Sequence, residues 1–183
     1  MDRVILGIDP GTSVMGYGVI NVKGKKVILL GSGVLYLKKY ADGMIRLRKI
    51  FERTLALIDE YLPDELAIEA PFFGKNVQSM LKLGRAQGIC MAAGLYRDIP
   101  IFEYAPKKVK QSVTGNGSAS KQQVAGMLKN TFELKADLKY DDETDGIAVA
   151  LCHHYQQNRT GGANNHKEST WGSFIKNNPD RLR

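Results

Sequence analysis

Residues Val4 to Ile8 form an apolar, β-branched run that ends abruptly in a carboxylate, Asp9, and then in Pro10-Gly11. A run of this length and content reads as a buried strand. Placing a charge at the end of a buried strand is costly unless it meets a cation, a metal or several donors. Asp9 is therefore either a local turn former, as Asp before Pro-Gly commonly is, or one wall of a metal site. Which of these holds depends on whether the rest of the chain supplies partners for it.

The chain after this turn alternates in period. Tyr17 to Ile20 and Val27 to Leu37 read as two further strands joined by a hairpin at Gly24-Lys25-Lys26, with Gly31 and Gly33 pointing to a bulge or a close backbone contact. Three strands joined by short turns imply an antiparallel meander. Met44, Leu47, Phe51, Leu55, Ile58 and Leu62 then recur at helical spacing, and Pro63-Asp64 ends that helix. Leu66 to Glu69 is a fourth strand, and it too ends in a carboxylate followed within two residues by proline. A second helix is predicted from Asn76 to Tyr96, with Val77, Met80, Leu81, Gly84, Gly88, Met91 and Leu95 on its inner face. Pro100 to Glu103 is a fifth strand. Pro106 opens a short basic helix. Ser120 and Gln123 have the spacing of a capping box, so another helix runs to Phe132. A last helix spans Asp142 to Gln156. The order predicts an α/β domain: a five-stranded mixed sheet, with a three-strand antiparallel meander and two parallel strands, flanked by helices. Residues 1–157 form this domain, and 158–183, rich in Asn, Gly and charge, read as a flexible tail.

The 183 residues suffice for one full hydrophobic core, and the net charge of +7 favours an anionic partner such as nucleic acid. Cys90 and Cys152 sit in apolar surroundings without metal or redox spacing, as buried thiols of a reducing compartment do. No apolar run approaches the roughly 20 residues of a membrane helix, and no leader is evident at the N-terminus. A cytoplasmic protein without membrane contact is expected.

Three places put acids at the ends of apolar elements: Asp9, Glu69 and the cluster Asp141 to Asp145. Parallel pairing of the first and fourth strands would set Asp9 beside Glu69 at the carboxyl edge of the sheet, where open sheets bind ligands. On the last helix both Asp142 with Asp145 and Asp141 with Asp145 share a face, and spacing alone does not choose between them. Clustered carboxylates need a countercharge, and hard oxygen ligands suit Mg²⁺ or Mn²⁺. Two such ions per site clamp a phosphodiester. An acidic first turn also arises from the helix dipole alone. Lys107, Lys108 and Lys110 on the short helix, Lys121 at the start of the next, and Lys75, Lys82 and Arg85 flanking the second helix are candidate phosphate contacts. Phe72 and Phe73 either stack on a base from a loop beside Glu69 or fold onto the core. Gly84 and Gly88, one turn apart, allow close packing against the sheet or against a second helix. His153 and His154 read as ordinary helix residues.

Taken in order, Ile5 to Thr12 followed by Gly16 to Ile20, Ala67-Ile68-Glu69, Lys75-Asn76, Leu81 to Gly84, Phe102 to Ala105, Val109-Lys110-Gln111 and Asp142 to Asp145 resemble the RuvC family of bacterial Holliday-junction resolvases. The resemblance covers residues 3–157. It implies an RNase H-like fold and a Mg²⁺-dependent endonuclease that nicks four-way junction DNA in pairs, in recombination and repair. It implies a homodimer formed through the helix around Leu81–Gly88 and work beside a branch-migration helicase complex. By position the family's four acids fall on Asp9, Glu69, Asp142 and Asp145, its strand-binding lysines on Lys110 and Lys121, and its stacking phenylalanine on Phe72. Pro71 and the doubled Phe73 depart from the pattern and leave open which aromatic stacks. Three rivals make different predictions. An actin-like phosphotransferase would bind ATP, an RNA-processing nuclease would prefer structured RNA, and a junction-binding protein with a dead site would not cut.

Overall fold

The computed structural model describes residues 2–72, 76–133 and 141–161. Phe73, Lys75 and residues 162–183 of the expected tail lie outside the described residues. The elements follow in the order β1 (Arg3–Asp9), β2 (Val14–Lys23), β3 (Lys26–Tyr36), α1 (Gly43–Tyr61), β4 (Glu65–Glu69), α2 (Val77–Tyr96), β5 (Ile101–Tyr104), α3 (Pro106–Thr114), α4 (Lys121–Thr131) and α5 (Asp141–Gly161). The last helix thus continues past Gln156 into the first residues of the expected tail. No helix among the described residues is long and apolar enough to cross a membrane.

The five strands form one sheet in the order β3-β2-β1-β4-β5. β1 pairs antiparallel with β2, and β2 with β3. β1 pairs parallel with β4, and β4 with β5. The mixed sheet expected from the sequence is the one observed. A register shift between Val19 and Ile20 leaves Leu30 of β3 as the bulged residue, beside Gly31, whose missing side chain makes room for the Tyr61 hydroxyl.

Alternation along β1 sends Ile5 to one face and Leu6 and Ile8 to the other, and all three are fully buried. One face packs on α3, α4 and α5 through Ile5, Ile20, Ala67, Val109, Leu128 and Ile147. The other packs on α1 and α2 through Leu6, Ile8, Leu57, Leu66, Ile68 and Cys90. Strands buried on both faces explain why β1 and β4 read as unbroken apolar runs.

Two helices turn differently from the expected faces. α1 buries Ile50, Thr54, Leu57 and Ile58, and leaves Met44 and Leu62 exposed at its ends. α2 buries Ala86, Gln87, Cys90, Ala93 and Gly94. Val77, Leu81, Gly84, Gly88 and Leu95, placed inside by the sequence pattern, are all exposed. Small residues surround this helix, so apolar periodicity does not distinguish its two sides; the tighter fit of Ala and Gly against β4 and β5 decides.

α5 lies close over the sheet because glycines line the contact. A Cβ on Gly16 would overlap the Asp142 carbonyl, and one on Gly146 would lie 2.5 Å from Tyr17 Cα. Both obstacles are backbone and cannot swing aside. Gly146→Ala is expected to destabilise the protein by about 1–3 kcal/mol, the usual effect of overpacking, by lifting α5 off β2. Denaturant unfolding checks this; unchanged stability would show that α5 is not held so closely.

Candidate active site

The Pro10-Gly11 turn stops β1, so that Asp9 stands at the carboxyl edge of the sheet. The parallel pair Ile8 and Ile68 brings the next residues, Asp9 and Glu69, side by side. Both side chains emerge on the face covered by α5, whose first turns carry Asp142 and Asp145. One carboxylate oxygen each from Asp9, Asp142 and Asp145 lie within 4.8 Å of one another. Glu69 is not part of that trio but lines the same pocket of about 260 Å³ with Asp9, Asp142, Pro10, Phe72 and Gln87. The side chain of Asp141 lies outside the described residues. Glu143 turns away to accept a 2.6 Å hydrogen bond from Ser32 Oγ, which ties the start of α5 to β3.

Electrostatics at this edge are those of acids held together without enough cations. Burial, then the charges of Asp145 and Asp142, push Asp9 up to about 7, with Lys121 opposing. Burial, then Asp9 and Asp145, push Glu69 up to about 8, with Lys110 and Lys121 opposing. The folded chain therefore holds protons on these two groups that the unfolded chain has already lost. This contribution makes stability fall as pH rises from about 4 through 7–8. A metal ion reverses the balance, because its ligands bind as carboxylates and release their protons. Calorimetric titration with Mn²⁺ at about pH 6 is expected to release about one to two protons per site, and almost none at about pH 9. Equal release at both pH values would contradict these raised values. The arrangement can hold a metal ion through hard oxygen ligands.

The cations fall into two groups. The capping box of α4, with Gln123 N bonded to Ser120 Oγ at 3.2 Å and Ser120 N to Gln123 Oε1 at 2.8 Å, sets Lys121 in the first turn. From there Lys121 Nζ reaches Asp145 Oδ2 at 2.9 Å. Lys110 acts on Glu69. Lys107 is exposed on α3, and Lys108 is half-buried beside it, near Cys152. Phe72 is 72% exposed at the pocket mouth and is not folded onto the core.

Two features escape sequence reasoning. Gln87 is buried in the pocket wall, where its Nε2 donates to Glu103 Oε2 at 2.7 Å; a polar residue between Ala86 and Cys90 was the available signal. His153 is fully buried and stacks on Phe102 with ring centroids 4.4 Å apart. Burial holds it below the usual imidazole range, so its Nε2–H donates to Glu65 at 2.9 Å and its Nδ1 accepts from the Tyr104 hydroxyl at 2.7 Å. This network ties α5 to β4 and β5. Cys90 and Cys152 are both buried and unpaired, and burial pushes the Cys90 thiol up to about 12.

A family profile described as "Crossover junction endodeoxyribonuclease RuvC" matches residues 5–153. A protein of that name from Cytophaga hutchinsonii is 56% identical over 183 residues, covering 100% of this chain and 90% of the relative. Another from Porphyromonas gingivalis is 54% identical over 188 residues, covering 100% of this chain and 98% of the relative. Among solved structures, Thermus thermophilus RuvC in complex with Holliday junction substrate superposes with a TM-score of 0.81 at 31% identity, over 86% of this chain and 96% of that one.

Proposed function

The chain belongs to the RuvC family of crossover junction endodeoxyribonucleases, and from that premise we propose how its residues resolve a four-way DNA junction in recombination and repair in the cytoplasm. The observation that carries the reading is the meeting of Asp9, Asp142 and Asp145 oxygens within 4.8 Å at the edge of β1, with Glu69 beside them. Asp9, Glu69, Asp142 and Asp145 hold the metal. The ions are Mg²⁺, replaceable by Mn²⁺, two per site. When bound they supply activation of water and neutralisation of charge on the phosphate under attack.

The remaining roles belong to side chains. Lys110 and Lys121 hold the scissile phosphate and favour its more highly charged transition state. Lys107 and Lys108 extend this seat along α3, and Lys75, two residues before α2 in sequence, adds a contact. Phe72, exposed beside Glu69, stacks on an unpaired base at the branch, and Phe73, next in sequence, is the other aromatic candidate. Residues 1–157 act as the nuclease domain and 158–183 as its tail. The protein works as a homodimer through the helix around Leu81–Gly88. Support comes from the outer face of α2, where Leu81 is 53% and Val77 64% exposed, and from the open space above Gly84 and Gly88. Two sites related by a dyad then nick two opposed strands, beside a branch-migration helicase complex.

A labelled four-way junction and a matched linear duplex, each with and without Mg²⁺, test the reading. Symmetric paired nicks on the junction alone, and only with metal, are expected. Equal cutting of the duplex, or cutting in chelator, would overturn it.

A further inference from the structure

A second cleft, of about 630 Å³, opens between the N-terminal turns of α1 and α2. Its walls include Thr12, Ser13, Arg46, Ser79, Lys82 and Arg85, and among the described residues no acidic one lines it. Arg46 is fixed in place: its Nε donates to the Tyr40 carbonyl at 2.6 Å and its Nη1 to the Thr12 carbonyl at 3.1 Å. Both acceptors are neutral backbone, so the guanidinium charge is oriented but not cancelled. Lys82 and Arg85 project from α2 one turn apart. Among the described residues neither forms an ion pair. The nearest acid in sequence, Asp42, is turned to the backbone N–H groups of Met44 and Ile45 as the cap of α1. Three cations with two hydroxyl-bearing loop residues make a donor-rich, acceptor-poor wall, which suits an anion with several oxygens.

The cleft adjoins the acidic pocket. Leu83 lines both, and Thr12-Ser13 follow directly on the Asp9-Pro10-Gly11 turn. A strand whose phosphate lies at the acids therefore has its neighbouring phosphates within reach of this wall. We propose that the cleft is a second phosphodiester seat, which takes the backbone of the cut strand as it leaves the catalytic pocket across Leu83. The proposal rests on the nuclease reading above. An acidic protein surface is the competing occupant, but it would not explain why the cleft adjoins the acidic pocket across Leu83.

The test is a Lys82→Ala/Arg85→Ala double variant of the full chain, with Lys25→Ala/Lys26→Ala at the far end of the sheet as a control that removes the same charge. Junction affinity is measured as a function of salt in an Asp9→Asn background, so that no strand is cut. Loss of two phosphate contacts is expected to lower the slope of log affinity on log salt by about 1.4–1.8, with the control variant unchanged. Mn²⁺ affinity and the dimeric state of the free protein should stay the same in both; loss of the dimer in the Lys82/Arg85 variant would assign the slope change to helix pairing and overturn the proposal. An unchanged slope, or an equal loss in the control, would overturn the proposal. So would loss of binding to a helicase partner with junction affinity intact. Cleavage of the junction by the wild-type chain is read in parallel: its absence counts against the nuclease reading, whereas an unchanged slope counts against the cleft.

Discussion

Replacing Asp9 with Asn is expected to reduce junction cleavage by on the order of a thousand-fold or more, while junction binding persists. Asn has the size of Asp and keeps one carbonyl oxygen, so the strand end and the Pro10-Gly11 turn should stay as they are. What it loses is charge. Asp9 contributes one of the three oxygens within 4.8 Å that form the cation site, and a neutral amide there binds a hard divalent ion far less well. The same change removes a buried carboxyl and, with it, the repulsion that adds to burial in raising Glu69. The variant should therefore be more stable than the parent in chelator near pH 8 and gain less stability from Mg²⁺. Time courses on labelled junction, binding by gel shift and thermal unfolding with and without Mg²⁺ check the three parts. Full cleavage by this variant would remove Asp9 from the catalytic assignment.

Lys121→Met is expected to move two measurements in opposite directions. Lys121 Nζ lies 2.9 Å from Asp145 Oδ2, so the free protein already keeps a cation on one of the cluster's ligands. A metal ion must displace it or bind against its charge. At 4 Å and surface-like screening a full charge pair is worth about 4 kcal/mol at most. The Lys121 side chain is 49% exposed, which reduces this to about 1 kcal/mol. Metal affinity of the free variant should thus rise about five-fold. Cleavage should fall by on the order of a hundred-fold, because the charge that would hold the phosphate in the transition state is gone. If Lys121 only tethers α4 to α5, both quantities fall together, and calorimetry with Mn²⁺ separates the two cases.

Much of this protein was legible in its sequence, for a local reason. A strand buried on both faces must be apolar throughout, and a strand that ends in Asp9 before Pro10-Gly11, or in Glu69 before Pro71, announces where its charge stands. The meander, the parallel β4 and β5 and the capping box at Ser120 follow from such neighbour relations. The face of α2 did not follow. Gly84 and Gly88 allow close contact on any side, and their outward position depends on how Ala86, Cys90 and Gly94 seat against strands formed elsewhere in the chain. His153 gave no signal because its partners, Glu65 and Tyr104, lie on two different strands.

The sequence by itself determined the succession of strands and helices, the carboxylates at the ends of β1 and β4, and family membership, since each is carried by residues within one element or by motifs in fixed succession. Only the tertiary structure decided which oxygens lie within 4.8 Å, that Glu69 stands beside that trio rather than in it, and that Lys121 reaches Asp145. Those distances are set where α5 crosses β1 and β2 on the seat left by Gly16 and Gly146. A crossing is a relation between elements, and no spacing along a single element encodes it.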